Sequence, residues 1–377
     1  MDTVYQDIHN CCGCAMCESI CPKNAIKMTM INGFLYPEIN HSLCIDCGIC
    51  AKKCEFNKEK KNEINCLNSY AVKHREEAVI DSSSSGGIFT ALSDYILSNN
   101  GVIIGADFDK NMNVHHTIAT TIPERNRMRG SKYIQSNLSG IYNEIALYLK
   151  NETPVLFTGT PCQVAAIKSY FPNEQNLYLI DIICHGVPSP DVWKKYVDYI
   201  ETKRKKKLVF CSFRDKKTSG WRQYSMKLMF DDDTIETQNN ISGAFIELFR
   251  YDVCLRPSCT KCPYSSLNRV GDITIGDFWG IENVLPEIDN NKGISAVMVN
   301  TKKGETLFSQ ISDDICKYNV SCENIAKSQP NLLKPSLHSK KAEEFSKDFK
   351  NLPFEKVLKK YTRVGLQRRI IDTIKKI

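Results

Sequence analysis

The sequence predicts an α+β chain in two parts: a small cysteine-wired module at the amino terminus and a larger mixed α/β domain behind it. Two observations predict this. Eight cysteines between Cys11 and Cys54 repeat one spacing twice. After Cys66, apolar strand-like runs alternate with amphipathic helix-like ones. The chain has 377 residues, room for two or three domains at about 150 residues each.

In the first module, Cys11, Cys14, Cys17 and Cys21 are followed by Pro22, and Cys44, Cys47, Cys50 and Cys54 by Glu55. Both copies read C-x2-C-x2-C-x3-C, the run of bacterial two-cluster ferredoxins. Three close thiolates of each copy ligate one 4Fe–4S cubane, and the fourth reaches the other cluster. Cluster one is therefore assigned to Cys11, Cys14, Cys17 and Cys54, and cluster two to Cys44, Cys47, Cys50 and Cys21. A zinc site needs only four ligands and would leave half of these cysteines idle. A disulfide framework needs an oxidising compartment. Glu55 stands where the second copy usually carries proline, which shapes the chain without binding metal. Cys12 is an extra thiol, but only Cys11 gives the right spacing. Two adjacent clusters carry single electrons.

Composition sets the surroundings. Hydrophobic content of 42% and charged content of 25% are ordinary for a globular protein. No apolar run approaches the ~18 residues of a membrane span, and the segment 1–10 lacks the blocks of a signal sequence. The expectation is a cytoplasmic protein whose 18 cysteines serve metal and redox work. A net charge of +7 would steer acidic electron carriers of the ferredoxin or flavodoxin type toward it. No nucleic-acid motif is present, so no nucleic-acid partner is expected. Lys203-Arg204-Lys205-Lys206-Lys207 reads as a solvated helix end or loop. In the basic tail, Arg368, Arg369, Lys375 and Lys376 alternate with Ile370, Ile371, Ile374 and Ile377, an amphipathic helix pattern.

The elements follow in order. The first module ends near Phe56, and Asn57 to Asn65 is charged and linker-like. Ser69 to Val72 reads as a strand. Gly86 to Leu97 reads as a helix with Ile88, Leu92, Tyr95 and Ile96 on one face. Val102 to Phe108 and Pro154 to Phe157 read as strands, the second running into the loop Thr158 to Pro161 and a helix bearing Val164 and Ile167. Leu177 to Cys184 is a buried-type strand, and Pro190 to Ile200 a helix with proline in its first turn. Leu208 to Phe213, Tyr224 to Phe230, Asp272 to Ile275 and Ile294 to Val299 complete the strands.

Ser82-Ser83-Ser84-Ser85-Gly86-Gly87 runs into the helix at Ile88. Backbone N–H groups and the helix dipole there favour a phosphate or pyrophosphate; a plain serine-capped turn is the equal alternative. No P-loop and no G-x-G-x-x-G occurs. Cys162 follows Thr158-Gly159-Thr160-Pro161, Cys184 precedes His185-Gly186, and Cys254, Cys259 and Cys262 form C-x4-C-x2-C. Strand ends of an α/β sheet gather at one edge. Cys162, Cys184, Cys259 and Cys262 can thus meet as ligands of a third cubane, with zinc as the competing metal and Cys254 as an alternative ligand. Cys66, Cys211, Cys316 and Cys322 read as isolated thiols.

The string of motifs resembles the coenzyme F-420 hydrogenase/dehydrogenase beta-subunit family. The residues that carry the resemblance are Ser84 to Gly87, Gly130-Ser131-Lys132-Tyr133, Thr158 to Gln163, Cys184-His185-Gly186, Cys259-Thr260-Lys261-Cys262 and Gly271 to Gly280. The resemblance runs to about Lys334. It implies an N-terminal region of the family over 66–150 and a C-terminal region with the third cluster over 151–335; the cysteine spacing places the two-cluster module over 1–58 before them, and the basic pattern a helical tail over 336–377 after them. It also implies FAD beside a 4Fe–4S cluster. FAD phosphates would lie at Ser84, Ser85, Gly86 and Gly87, with further contacts at Lys132, Tyr133, Thr158, Thr160 and Asp277. Cys162, Cys184, Cys259 and Cys262 would be the proximal cluster ligands. The chain departs from the archaeal subunits in carrying its own ferredoxin module and the form Cys184-His185-Gly186-Val187-Pro188.

The expected function is an iron–sulfur flavoprotein oxidoreductase that takes electrons from a ferredoxin-type donor through clusters to FAD and on to a small-molecule substrate, deazaflavin-like or other. His185 and Lys132 are the candidate catalytic groups. Arg214 and Trp221 are further substrate-side candidates, flanking Lys216 to Gly220, which reads as a mobile loop. The rival readings are an electron-transfer subunit with a catalytic partner elsewhere, a reductase of carbohydrate or polysaccharide biosynthesis, and a redox sensor.

Overall fold

The computed structural model describes residues 3–5, 7–58, 64–217, 220–237, 242–337 and 339–364. Most of the charged linker and the isoleucine-rich basic tail lie outside the described residues.

The N-terminal module is built on a hairpin of β1 (Ile26–Ile31) and β2 (Phe34–Ile39), paired antiparallel with Ile31 opposite Phe34. Asn32 and Gly33 form the turn at φ +50° and +84°. Positive φ at both positions gives the type I′ geometry that matches strand twist. Two short helices, Met16–Ile20 and Ile49–Lys53, carry Cys17 and Cys50. Each follows a left-handed residue, Ala15 at φ 61° and Gly48 at φ 68°. These occupy the same place in the two cysteine copies, so the repeat in sequence is a repeat in backbone.

The larger domain is laid on β3 (Asn68–His74), β4 (Val102–Phe108), β5 (Val114–Ala119), β6 (Val155–Gly159), β7 (Leu177–Ile182), β11 (Ile273–Asp277), β12 (Ser295–Val299) and β13 (Ile315–Asn319). These form one sheet in the order β13-β3-β12-β11-β7-β6-β4-β5. The contacts β4–β6, β6–β7 and β7–β11 are parallel. Parallel strands end at one edge, so the segments after β6, β7 and β11 are delivered to the same place. On one face, Ile88, Leu92 and Ile96 of helix Ile88–Ser98 pack against Val72, Ile103, Leu156, Ile180 and Val297. On the other, Val164 and Ile167 of helix Pro161–Tyr170 pack with Ile104, Phe157 and Leu179. The fold class and the strands read from the sequence stand. β5 and β13 went unread because edge strands alternate polar and apolar weakly.

A second sheet, ordered β10-β9-β8, comprises β8 (Leu208–Asp215), β9 (Ser225–Phe230) and β10 (Ile235–Thr237). Helix Pro190–Arg204 packs on it through Trp193, Tyr196 and Ile200. Ser189 caps this helix, accepting from Val192 N. The basic run closes the same helix, where Lys203, Lys206 and Lys207 pair with Glu355, Asp232 and Glu201 on the surface. Helices Ala342–Asn351 and Phe354–Tyr361 add Phe345, Val357 and Leu358 to this core. Among the described residues, no helix is long and apolar enough to cross a membrane.

One buried ion pair ties the cysteine-bearing segment after Cys262 to the sheet. Arg269 Nη2 lies 3.0 Å from Asp181 Oδ1 on β7, with both side chains at 1% or less exposure. Arg269 Nη1 also donates to Tyr264 O and Ser266 O, and Asp181 Oδ2 accepts from Val270 N and Gly271 N. Satisfied on every side, the pair is tolerable; with one partner removed, a buried charge is stranded. Arg269→Met is expected to lower the unfolding free energy by about 3–5 kcal/mol, read as a reduced denaturant midpoint with an unchanged slope. A change below about 1 kcal/mol would show that the pair does not fix this segment.

Candidate functional site

The cysteines gather round three voids. The first is lined by Cys21, Cys44, Cys47 and Cys50, with Ile26, Ile39 and Ile49. The second is lined by Cys11, Cys14, Cys17 and Cys54, together with Cys12, Cys50 and Cys162. The third is lined by Cys162, Cys184, Cys259 and Cys262, together with Cys12. The crossed pattern follows from the backbone: Cys21 lies after the first helix and Cys54 after the second, so each reaches the opposite void. Cys162 comes from the loop after β6 and Cys184 from the loop after β7. Cys259 lies in the 3-10 turn Pro257–Lys261 and Cys262 directly after it. Cys254 lies in the apolar core of the second sheet and does not line the third void.

Successive voids share walls. Cys50 borders the first and second, and Cys12, Phe56 and Cys162 border the second and third. The Cys12 thiol hydrogen-bonds to both Cys14 and Cys162. Burial pushes the Cys54 thiol up to about 11 and that of Cys259 up to about 12, and raises Cys11, Cys17 and Cys184. Thiols buried like this ionise against a bound cation and not in its absence.

The polar atoms round the third void also fit an acceptor-rich group. Arg256 is fully buried and donates from Nε to Cys11 O at 2.8 Å and from Nη2 to Leu35 O at 2.9 Å. Its guanidinium lies 4.1 Å over the Tyr36 ring. Gln135 Oε1 accepts from Leu35 N at 3.0 Å. Arg256 Nη1 and Gln135 Nε2 are buried without a partner among the described residues, and both residues line the third void. Orphaned buried donors beside four thiols suit the sulfur atoms of an anionic iron–sulfur cluster. Sequence reasoning missed Arg256, because nothing local distinguishes it.

Beyond the third void lies a cleft of about 260 Å³. The two share Thr160, Gln163 and Cys184 to Val187. Ser84, Ser85, Gly87, Lys132, Tyr133, Thr158, Thr160, His185 and Asp277 all line the cleft. Gly87 adopts φ +93° to open helix Ile88–Ser98, whose first amides lack intrahelical acceptors. Gly86 stands behind the wall. A Cβ there would meet Val72 O at 2.3 Å, so only glycine lets the turn sit against β3. Ser84 Oγ accepts from Ser131 N at 3.2 Å, joining the turn to the Gly130–Tyr133 segment.

The candidate side chains are more committed than the sequence suggested. Lys132 Nζ donates to Arg127 O at 2.7 Å and Arg129 O at 3.2 Å, and burial lowers it to about 8. Tyr133 stacks on Phe249 with centroids 4.7 Å apart. Asp277 accepts from Arg214 and, at 2.8 Å, from Trp221 Nε1. Arg214 and Trp221 are both buried, and Lys216 donates to Ile80 O and Ser85 O. The stretch read as a mobile, solvated loop is therefore anchored at Lys216 and Trp221, because the Asp277 carboxylate and backbone carbonyls draw its polar groups inward. His116, unread in the sequence, is buried with Nδ1 2.7 Å from Ser136 Oγ and Nε2 2.9 Å from Thr158 O. Burial lowers it to about 4, so it is a neutral ring holding the Thr158 backbone. Cys66 and Cys322, read as isolated, are in contact at 2.6 Å between sulfurs.

His185 stands on the wall between void and cleft. Its Nε2 is 2.6 Å from Asp252 Oδ1. Burial works against the imidazolium, but the Asp252 carboxylate outweighs it and the His185 pKa is raised. The pair is therefore fully present below the ordinary histidine value near 6.5 and is lost as pH rises through the raised value. Asp252→Asn is expected to lower stability by about 1 kcal/mol at about pH 6, a figure allowing for screening of a part-exposed pair. The gap between variant and wild type should narrow in thermal unfolding as pH rises through the raised His185 value. A gap constant with pH would rule out the charged pair.

Comparison with known proteins gives two matches. Residues 153–320 match the family model for the C terminus of the coenzyme F420 hydrogenase/dehydrogenase beta subunit. Among solved structures, a chain of the F420-reducing [NiFe] hydrogenase complex from Methanosarcina barkeri aligns with a TM-score of 0.47 and 16% identity, over 75% of this chain and 99% of that one. No curated protein sequence matches. The matched segment holds β6 to β13, Cys162, Cys184, Cys259, Cys262 and one side of the cleft. Over residues 153–320 the chain is therefore similar to the C terminus of the coenzyme F420 hydrogenase/dehydrogenase beta subunit.

Proposed function

We propose that the chain is an iron–sulfur flavoprotein oxidoreductase that moves electrons between an external carrier and a small organic substrate. The observation that carries this reading is the unbroken series of three cysteine-lined voids and the cleft, each sharing wall residues with the next. In this reading the voids hold 4Fe–4S clusters on the twelve cysteines named above, and the cleft holds FAD. When bound, the clusters supply one-electron steps and the flavin two-electron chemistry. The fit of the residues supports it: ringed thiols, the unpaired donors of Arg256 and Gln135, and helix-start amides at Gly87.

The chain's own residues have assignable tasks. Cys47 is exposed, and the first void is bordered by Lys23 and by Ile45 and Ile49, which are 57% and 38% exposed. An exposed apolar spot on a chain of net charge +7 suits an acidic ferredoxin or flavodoxin-type donor. Arg256 offsets negative charge between the second and third voids. His185 holds a proton against Asp252 at the cleft wall, and Lys132 keeps one N–H for an anionic group. The substrate is deazaflavin-like or another small organic acceptor. The similarity of residues 153–320 to a beta subunit supports a separate catalytic partner in the assembly.

Iron, acid-labile sulfide and flavin per chain test the reading on protein purified without oxygen. About twelve irons and one FAD are expected, four irons per cubane. About eight irons with zinc and no flavin would overturn it. Arg256→Met should also lower a cluster potential by about 60–130 mV. That range converts the about 1.5–3 kcal/mol of a hydrogen bond to a charged group at about 59 mV per about 1.4 kcal/mol. Redox titration followed by EPR reads the shift, and an unchanged potential would remove Arg256 from the role.

A further inference from the structure

Cys66 and Cys322 stand 256 residues apart in sequence, yet their sulfurs lie 2.6 Å from one another. Neither lines a cysteine void or the cleft. The contact is held by backbone. β3 and β13 pair antiparallel from His74 opposite Ile315 to Tyr70 opposite Asn319. Beyond the ladder, Val320 N donates to Ser69 O at 3.1 Å and Ser69 Oγ donates to Val320 O at 2.7 Å. Leu67 N donates to Val299 O at 2.8 Å. The chain is therefore pinned on both sides of the pair, one residue from Cys66 and two from Cys322. Both thiols are half-buried, so a small reagent reaches them while the strands keep them facing.

We propose that Cys66 and Cys322 form a reversible dithiol–disulfide couple, oxidised by a small-molecule disulfide such as oxidised glutathione. Cys322 is the attacking sulfur, because its contacts with Cys66 and with Ser69 Oγ favour its thiolate. Its thiolate attacks one sulfur of the reagent, the reagent S–S bond breaks, and the first glutathione thiol leaves. Cys66 then attacks the mixed disulfide at the Cys322 sulfur and releases the second. Two electrons and two protons pass from the protein thiols to two glutathione thiols, and one S–S bond replaces another. The bond ties the entry of β3 to helix Cys322–Lys327. β3 also backs the serine–glycine turn, because His74 N donates to Gly86 O at 2.7 Å. Disulfides in reducing compartments are mostly of this transient, sensing kind.

The proposal does not rest on the clusters or the flavin. The test uses the full chain, purified without oxygen and exposed to oxidised glutathione, followed by thiol alkylation and peptide mass mapping. Iron content is followed in parallel. The expected result is a Cys66–Cys322 linked peptide pair, loss of alkylation at both positions, and full recovery with dithiothreitol at constant iron. Cys66→Ser should instead accumulate a glutathione adduct on Cys322. Undiminished alkylation at both cysteines would overturn the proposal, as would separate glutathione adducts on the two without a linked pair.

Discussion

Arg256 sits with its charge fully out of water, where the N-terminal hairpin meets the larger domain. It gives hydrogens to Cys11 O and Leu35 O of the module, while its own backbone N–H donates to Val187 O beside the cleft. A buried guanidinium is costly unless it is paired and its hydrogens are placed. Here carbonyls and the faces of Tyr36 and Phe34 surround it, while its Nη1 is left without a partner among the described residues. That constraint sets how the two parts meet, and so brings Cys12 between Cys14 and Cys162. Moving the module by a residue would strand the charge and separate the voids.

The sheet supplies the other half of the geometry. Its parallel strands deliver the Cys162, Cys184 and Asp277 segments to one edge, and the Asp181–Arg269 pair fastens the Cys262 segment beneath them. The cleft is rigid for the same reason. Asp277 fixes Arg214 and Trp221, Trp221 stacks on Trp279 at 4.9 Å, and His116 holds the Thr158 carbonyl. A cleft with its walls locked by buried hydrogen bonds loses little entropy on taking up a ligand.

What was legible in the sequence was what is local. The cysteine spacing forces its own backbone, so Cys11 to Cys54 could be read by eye, and apolar runs such as Val102 to Phe108 mark buried strands directly. The meeting of Cys162 with Cys184 followed from a topological rule about strand ends. The hairpin at Asn32-Gly33 carried a turn signal that went unused. Arg256, His116, the Asp277 grip on Trp221 and the Cys66–Cys322 contact were not legible, because each depends on partners far away in the chain. The solvated reading of Lys216 failed for that reason: a lysine near glycine looks exposed until the distant carbonyls of Ile80 and Ser85 are seen to receive it.

The central claim is that the third void connects the N-terminal module to the cleft. It is tested most directly by stopped-flow reduction of the flavin by a reduced low-potential ferredoxin, in wild type and in Cys184→Ser. The account predicts that the variant keeps the EPR signals of the N-terminal clusters and bound flavin, while flavin reduction slows by about tenfold or more, corresponding to at least about 1.4 kcal/mol in the barrier. Flavin reduction at the wild-type rate in a variant lacking the third cluster would contradict it.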